Sequence, residues 1–522
     1  MPFTLLQAGT SLQTMNTSGT LTTLTLPTGV VIDSTKILRT AVFGRYVVCV
    51  NSPTRPLSVD PDGVVRVLCP NPPRTRLVLS ATGSGALTGS YLAKQTFLVL
   101  DGDGNIIAES ELGPLTTAAS LTAQIMAVTG IDLSSDTITA SRLYRTVASG
   151  SAYFRWVDSD GNTQTTLQDD LADASLELLT APTLGTPPND LTLLAEYRGR
   201  LWGVSALEID TIRVGEAGKM YAWPATSGYI VGKPGGDDRG ITGLIPRKEF
   251  LLVGRRDAMF QMTGDAPANF RPVKLKQNVG IEAPDSVVVY KDVAWWLGTD
   301  GVYKWDDTGI ENVAAGKVQS WFQTDTYFNR SRLRFAVGQI HPLQHKYRIL
   351  LSNAGDTTLN RFIEYDWVEQ KWWGPHTIDA FTPSFAGIIH DSNNLDLAVI
   401  CSSAGFVYKD QATRTDDAST GIDFDVDTKF HDGNTPGITK TWLQPTLISK
   451  IQAAGTLTIT PKVGGLDASA GTAISADMTK GREVLRRLGT GRFAQLRLRH
   501  TTAGQDVGLY GIEIPFFEDG VR

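Results

Sequence analysis

Short apolar runs recur along the chain, and polar or glycine-containing turns separate them. Six of these runs are Tyr46–Val50, Arg200–Val204, Phe250–Gly254, Val293–Leu297, Tyr347–Leu351 and Leu397–Cys401. Short runs rich in Val, Leu, Ile, Tyr and Trp are typical of buried β-strands. From Arg200 onward the runs begin roughly 43 to 54 residues apart, which is the size of a repeat of four strands with their turns.

A second strand follows several of these runs after a tight turn, and it often carries an aromatic residue. The segment Gly301–Lys304 follows Thr299-Asp300 in this way, and Gly405–Lys409 follows Ser403-Ala404. An apolar strand, a turn and a second strand form the inner part of a propeller blade. Because one blade cannot bury both of its faces, neighbouring blades must stack. We therefore predict an all-β fold built around a β-propeller of about six blades.

The repeat is interrupted once and stops before the end of the chain. We predict an N-terminal arm at 1–36, a first blade at 37–70, an inserted β-sandwich-like domain at 71–188, the remaining blades at 189–420 and a C-terminal β-domain at 421–522. The last boundary follows from the polar stretch Gln411–Thr420, and the threonine-rich start of the chain favours an extended arm or an edge strand over a packed unit. Helical periodicity is scarce, and it predicts one helix, Thr116–Val128, with Gly130 placed to end it.

Composition supports the all-β prediction and limits the class of partner. Glycine accounts for 51 of 522 residues, which suits a chain with many tight turns because glycine adopts positive φ. The balance of 48 Lys+Arg against 54 Asp+Glu argues against a surface that binds nucleic acid everywhere. We expect no membrane span and no secretory signal. The odd count of three cysteines, with no closely spaced pair, suggests free thiols in a reducing compartment.

Four sequence stretches, together with this order of domains, resemble a known protein family. They are Ser141–Thr146 (SRLYRT), Tyr153–Val157 (YFRWV), Gly185–Leu191 (GTPPNDL) and Tyr197–Gly203 (YRGRLWG). With them, the chain from about Ile37 to Arg522 resembles the propeller-containing tail nozzle proteins of short-tailed bacteriophages, the podoviruses. These are also called tail tubular proteins B, or packaged-DNA stabilisation and hub proteins. The resemblance lies in domain order and sequence texture.

The resemblance implies a structural virion protein that works without catalysis and without a cofactor. Such a protein forms a hexameric ring below the portal and adaptor proteins of the phage tail. The ring is a conduit that retains the packaged genomic DNA and lets it leave during ejection without sequence-specific binding. Tail fibres or spikes are further implied partners, and assembly is expected in the cytoplasm of the bacterial host.

Basic residues concentrate in two places and are the candidate contact residues. They are Arg482, Arg486, Arg487, Arg492, Arg497 and Arg499 near the C-terminus, and Arg330 and Arg332 in the segment NRSRLRF. In LRLR, Arg497 and Arg499 alternate with leucines, so one face of that strand is basic and the other packs inward. Each set is expected to contact an acidic neighbouring subunit or passing DNA, or to be a solvated face. Tight DNA binding would oppose rapid exit, because each neutralised phosphate adds affinity.

The residue patterns give little support to glycosidase activity or to a metal site. A glycosidase needs two carboxylates across one sugar, and the candidates Asp257, Asp306 and Asp307 lie in predicted turns. His341 and His345 are four apart, but Pro342 lies between them and no third ligand follows at motif spacing.

Neighbouring residues of a strand point to opposite faces, so at least one tryptophan of each pair, Trp295-Trp296 and Trp372-Trp373, is expected to pack between blades, and core packing is also favoured for Trp305. A receptor- or glycan-binding propeller appendage is the alternative function, and an enzyme on the same scaffold is a third.

Overall fold

A computed structural model of the protein shows that almost all of its regular structure is antiparallel β-sheet, which confirms the all-β prediction. The structure describes residues 4–51, 54–232, 239–306, 308–378, 380–390, 393, 395–410, 416–417, 420–421, 424–452, 454–501 and 507–519. The contacts divide the chain into two units. The first comprises Met1–His376 and Phe385–Val399, and the second comprises Thr377–Ser384 and Ile400–Arg522.

Two small sheets form the beginning of the first unit. Their strands are β1 (Thr4–Ala8), β2 (Ser11–Met15), β3 (Leu21–Thr23), β4 (Arg39–Phe43), β5 (Tyr46–Asn51), β6 (Thr54–Val59) and β7 (Val65–Val67). The sheets have the orders β1-β2-β3 and β4-β5-β6-β7. Leu12 and Ile32 are buried with Cys49, Leu57 and other residues of the second sheet. The expected N-terminal arm is therefore wrong for this part of the chain, since its apolar residues share a core with β4–β7.

The inserted segment forms two sheets around one core. Its strands are β8 (Val78–Tyr91), β9 (Ala93–Leu100), β10 (Ile106–Glu109), β11 (Ala119–Thr129), β12 (Ala140–Thr146), β13 (Tyr153–Asp160) and β14 (Thr166–Asp169), and a 3-10 helix covers Asp173–Ser175. The sheet orders are β14-β11-β8 and β10-β9-β12-β13. Leu87 and Met126 from the first sheet pack with Leu143 from the second. The turn after β9 joins it to β10 as a hairpin, with Gly104 at φ 82°.

The predicted helix Thr116–Val128 is wrong, because most of it lies in strand β11. This strand pairs along most of its length with the long strand β8. The register shifts between Leu121 and Gln124, where Ala123 adopts a φ of 49°. A bulge inserts an extra residue and breaks the alternation of apolar and polar positions. The interrupted alternation resembles helical spacing, but pairing with a distant strand decides the structure.

After the insertion, the chain forms successive sheets whose strands follow one another in sequence. The strands are β15 (Leu191–Tyr197), β16 (Arg200–Ser205), β17 (Thr211–Val214), β18 (Gly228–Ile230), β19 (Ile241–Pro246), β20 (Leu251–Arg255), β21 (Ala258–Thr263), β22 (Arg271–Gln277), β23 (Val288–Tyr290), β24 (Val293–Leu297), β25 (Val302–Asp306), β26 (Gly309–Asn312), β27 (Val337–His341), β28 (Lys346–Leu351), β29 (Arg361–Asp366), β30 (Lys371–Thr377), β31 (Pro383–His390), β32 (Asp396–Ser402) and β33 (Val407–Lys409). The sheets are β15–β18, β19–β22, β23–β26, β27–β30 and β31–β33, each in sequential order. Short helices lie between some strands: 3-10 helices at Pro284–Ser286, Arg330–Phe335 and Pro342–Gln344, and α1 at Ser320–Gln323.

Hydrophobic cores lie between consecutive sheets. One core joins Trp202 and Val204 of β16 to Leu251 and Val253 of β20. Two further cores use opposite faces of the single strand β24, because neighbouring residues of a strand point to opposite faces. First strands of successive sheets also lie side by side, as β15 does with β4 and with β19, and β23 does with β27.

From residue 416 onward, the described part of the second unit contains four small sheets. Its strands are β34 (Asp416–Asp417), β35 (Thr420–Gly421), β36 (Phe424–Asp427), β37 (Lys440–Trp442), β38 (Thr446–Ser449), β39 (Thr456–Gly464), β40 (Ile474–Asp477), β41 (Arg482–Val484), β42 (Gly489–Gly491), β43 (Phe493–His500), β44 (Leu509–Glu513) and β45 (Phe516–Glu518). The sheet orders are β34-β35, β36-β43-β39-β40, β42-β37-β45 and β41-β38-β44. Leu447, Ile459 and Leu496 belong to its core. Most of the polar stretch 411–420, from which the predicted boundary was drawn, lies outside the described residues.

Candidate interaction surfaces

The alternating arginines near the C-terminus lie on strand β43, as their spacing predicted. Arg497 and Arg499 are exposed, whereas Leu496 and Leu498 are buried in the core of the second unit. The strand lies in the middle of its sheet, between β36 and β39. One face of β43 is therefore available for charged contacts and the other is packed.

Acidic residues of β36 share this face and change its charge. Asp427 lies opposite Arg497 in the register, and Asp425 lies opposite Arg499. The guanidinium of Arg497 donates two hydrogen bonds to the carboxylate of Asp425, at 2.7 and 2.5 Å. These hydrogen bonds lower the pKa of Asp425, so its carboxylate is charged at neutral pH. Lys462 lies 3.6 Å from Asp427. The face carries both signs of charge, and this weakens the case for a DNA-binding strip.

The remaining C-terminal arginines are separated by the fold. Arg482 lies on β41, in a different sheet from β43, and Arg486 and Arg487 follow it in the connection to β42. Arg486 donates a hydrogen bond to the carbonyl oxygen of Thr472 at 2.5 Å. Arg492 is exposed between β42 and β43. The run of basic residues in the sequence is thus spread over segments that belong to three sheets.

The second set of arginines lies on a 3-10 helix and not on an alternating strand. In the helix Arg330–Phe335, Leu333 is buried and the neighbouring Arg334 is exposed. A 3-10 helix has three residues per turn, so every third residue shares a face. The alternation of arginines in NRSRLRF suggested a strand, but the buried residues Leu333 and Ala336 follow the helical period instead.

Aromatic side chains accompany these arginines at the surface. The guanidinium carbon of Arg332 lies 4.0 Å from the centre of the Phe335 ring, and that of Arg334 lies 4.7 Å from it. Phe335 is 40% exposed and Tyr327 is 39% exposed. The ring of Tyr327 also packs against Trp321, with 5.1 Å between the ring centres. We call the exposed residues Tyr327, Arg330, Arg334 and Phe335, together with the half-buried Arg332, the arginine–aromatic surface.

The arginines of this surface were predicted from the sequence as contact residues, but its aromatic residues were not. The available signal was the density of aromatic residues just before and within the arginine segment, Trp321-Phe322 and Tyr327-Phe328. Which of these rings are buried and which are exposed depends on the core: Phe322 and Phe328 are buried, whereas Tyr327 is not.

The paired tryptophans behave differently at the two positions. Trp295 and Trp296 are both buried, each in a different core on either side of β24, as expected for packing between sheets. Trp305 and Trp372 are partly buried and pack against these cores. Trp373 is 48% exposed, and its neighbour Trp372 takes the inward position on the strand, which agrees with the expectation for at least one residue of each pair.

The described part of the chain contains no group of three or more His, Cys, Asp and Glu side chains placed to hold a metal ion. His341 ends β27 and His345 follows the short helix after it, in a left-handed conformation. Asp306 ends β25 and accepts hydrogen bonds from Thr308, as an ordinary turn residue does. The third glycosidase candidate of the sequence analysis, position 307, lies outside the described residues.

A small cavity of about 180 Å³ lies close to both ends of the inserted segment, near residues 70 and 188. It is lined by residues that include Arg55, Cys69 and Glu111. Arg55 is held by Asp136 at 2.8 Å, and burial raises the pKa of the Cys69 thiol to about 12. The cationic and thiol groups of this cavity are thus engaged in the fold.

Among the helices of the described residues, none is long and apolar enough to span a membrane. No family model matches the chain, and no curated protein matches it. Among solved structures, the chain is similar to PorZ of Porphyromonas gingivalis, an essential surface component of its type-IX secretion system. The sequences are 10% identical, the TM-score is 0.27, and the match covers 78% of this chain and 53% of the PorZ chain. The chain thus spans about half the length of that protein, and a similarity of this size supports no inference about function.

Proposed function

We propose that the successive sheets are the blades of a β-propeller of about six blades, interrupted after the first blade by a β-sandwich-like domain and followed by a C-terminal β-domain. Sequential strand order within each sheet supports this arrangement, as does the sharing of three cores by pairs of consecutive sheets. The contacts between first strands support an arrangement in which those strands line the inside of the proposed circle.

Contacts of Arg39 give further support for a circle. Arg39 begins β4 in the first proposed blade, and its guanidinium forms an ion pair of 2.9 Å with Asp285, in the helix that leads into the fourth blade. It also donates a hydrogen bond to the carbonyl oxygen of Thr192 in the second blade. One side chain near the start of the first blade therefore contacts segments of two others. Such contacts are expected where inner strands surround a common axis.

On this architecture we propose that the chain is a structural subunit of a bacteriophage tail nozzle. The observation that carries the proposal is the order of parts: one blade, an inserted pair of sheets, the further blades and a C-terminal β-unit. This is the order that the sequence resemblance implies for nozzle proteins of short-tailed phages. Copies would form a hexameric ring that contacts the portal and adaptor on one side and fibres or spikes on the other.

The mechanism of such a subunit is geometric. The ring encloses a channel that holds the packaged DNA and lets it leave when the partners at its end open. The overall acidic balance of 54 acidic against 48 basic residues suits a passage that does not retain its cargo. The pairing of Arg497 with Asp425 has the same effect, since it neutralises a side chain that would otherwise attract phosphate.

Cryo-electron microscopy of the particle that contains this chain tests the proposal. A sixfold ring of propellers around an axial channel at a tail vertex is the expected result. Density at the tip of a fibre would favour the alternative, a receptor- or glycan-binding appendage. Absence of the chain from every particle would contradict both.

A further inference from the structure

The connection between β26 and β27 differs from the other connections between consecutive sheets. It has twenty-four residues, 313–336, whereas the connections 231–240 and 278–287 have ten each and 378–382 has five. It also contains α1 and the 3-10 helix Arg330–Phe335. A short turn would suffice to join two adjacent sheets. The additional residues of this connection therefore form extra protein surface.

The connection is firmly attached to the protein beneath it. Phe322, Phe328 and Leu333 are buried in the core that lies between β23–β26 and β27–β30. The backbone N–H of Arg330 donates to the carboxylate of Asp325 at 2.8 Å, and Asn329 donates to the carbonyl oxygen of Asp356 at 2.8 Å. A rigid segment loses little conformational freedom when it binds.

The arginine side chains of this segment are available for ionic contacts with a partner. Arg330, Arg332 and Arg334 form no ion pair with a carboxylate anywhere in the described part of the chain. Contact with Phe335 holds the guanidinium groups of Arg332 and Arg334 in place. Tyr, Phe and Arg are enriched at the centres of protein interfaces, where they supply most of the binding energy. The arginine–aromatic surface therefore has the composition of a protein-binding site.

We propose that the arginine–aromatic surface binds an acidic surface of a second copy of this chain, an inference that rests on the proposed ring. Charge complementarity favours this occupant, because without these three arginines the remaining 45 basic residues face 54 acidic ones. Single-stranded nucleic acid is disfavoured, since it binds by stacking bases on free aromatic rings and the ring of Phe335 already contacts two guanidinium groups. The assembly is heterologous, which allows a ring to close.

The test is sedimentation velocity of the full chain over a range of concentrations at about 0.1 M salt, where exposed charges interact over about 10 Å. The variant is Arg330→Glu with Arg334→Glu, because both side chains are exposed and their reversal leaves the core intact. The matched control is Arg74→Glu with Arg76→Glu, two exposed arginines of the same unit. We expect the wild type to assemble, the variant to need at least about tenfold more protein to do so, and the control to match the wild type.

Each other outcome overturns the inference in a recognisable way. If the variant assembles as the wild type does, the surface is not the interface, although the ring itself stands. If the wild type stays monomeric, both the ring and this interface fail. If the monomer binds a 20-base-pair DNA duplex and the variant does not, the surface contacts nucleic acid instead. Circular dichroism of the variant must match the wild type, and a Phe335→Ala variant that also weakens assembly provides a second, uncharged check.

Discussion

Glu364 lies in a buried charged network on the face of the sheet β27–β30. Its carboxylate accepts hydrogen bonds from Arg348 at 2.9 and 2.6 Å and from Lys346 at 2.8 Å. The side chains of Glu364 and Arg348 are 5% and 6% exposed. Gln339, in register with Arg348, donates hydrogen bonds to carbonyl oxygens of β31 and β32. The network therefore helps to hold one sheet against the next.

Replacing Glu364 with Gln should destabilise this region strongly. Burial alone would raise the pKa of Glu364, but the charges of Arg348 and Lys346 and their hydrogen bonds lower it to about 2. Against an ordinary value of 4.5, this corresponds to about 3 kcal/mol of stabilisation of the ionised form. Breaking a buried pair by removing one partner costs about 3–5 kcal/mol, because the other charge is left without compensation. We expect Glu364→Gln to lower the free energy of unfolding at neutral pH by about 3 kcal/mol.

The pH dependence gives this prediction a distinctive signature. A carboxyl group with a lowered folded pKa stabilises the protein above its unfolded pKa, and the effect is lost as the pH falls from about 4.5 towards 2. The difference between wild type and variant should therefore be largest at neutral pH and should narrow over this interval. Acid effects of other residues are common to both proteins and cancel.

Hydrogen-exchange mass spectrometry of peptides from β28 and β29 is the assay, with urea unfolding followed by tryptophan fluorescence. Glu369→Gln is the matched control, since Glu369 pairs with Lys371 at 3.2 Å on the surface and its loss should change little. A cost below about 1 kcal/mol at pH 7, or a difference that is the same at pH 3 and pH 7, would refute the reasoning. A double variant Arg348→Met with Glu364→Leu should recover much of the loss, because it removes both buried charges and leaves only Lys346, which reaches solvent, without its partner.

Three further predictions concern packing, a second buried charge and the thiols. Gly338→Ala should cost about 1–3 kcal/mol in thermal unfolding, since its Cβ would lie 2.2 Å from a backbone carbonyl oxygen of the helix before β23, whereas Gly387→Ala has open space and should be neutral. Arg145→Met should destabilise the inserted domain by about 3–5 kcal/mol, because it leaves a fully buried aspartate without its cation; limited proteolysis that attacks the insertion no faster than in wild type would contradict this. Burial raises the pKa of both Cys49 and Cys69 to about 12. A disulfide reagent at pH 8 should therefore label these thiols slowly in the native protein and rapidly after denaturation. Rapid labelling of the native protein at these two positions would contradict this prediction.

The repeated strands of this protein could be predicted from the sequence, because their information is local. A run such as Val293–Leu297 is short, apolar and bounded by turns, and the structure places a strand at those residues. Hairpin turns rich in Asp, Gly and Asn, such as Asp101–Asn105, carry equally local information, since few residues tolerate the left-handed backbone that they require. Strand length, turn chemistry and the spacing of repeats sufficed for the all-β class.

The tertiary structure decided the features that depend on contacts between residues far apart in the sequence. The local pattern at β11 predicts a helix, but the segment is a strand, because pairing with β8 tolerates a bulge that disturbs the alternation of apolar and polar residues. The charge of the β43 face depends on Asp425, seventy-two residues before Arg497 in the sequence. The spacing of arginines alone could not reveal this neutralisation.

The arginine–aromatic surface shows the same division. Its arginines could be recognised in the sequence. The sequence alone did not reveal which neighbouring side chains would be buried in the core. Phe322, Phe328 and Leu333 are buried because they pack into the core between two sheets. Tyr327 and Phe335 remain exposed to solvent. The sequence by itself determined the strands and the charged residues, and tertiary packing decided which charges were neutralised and which rings were exposed, because burial and ion pairing are properties of distant segments brought together.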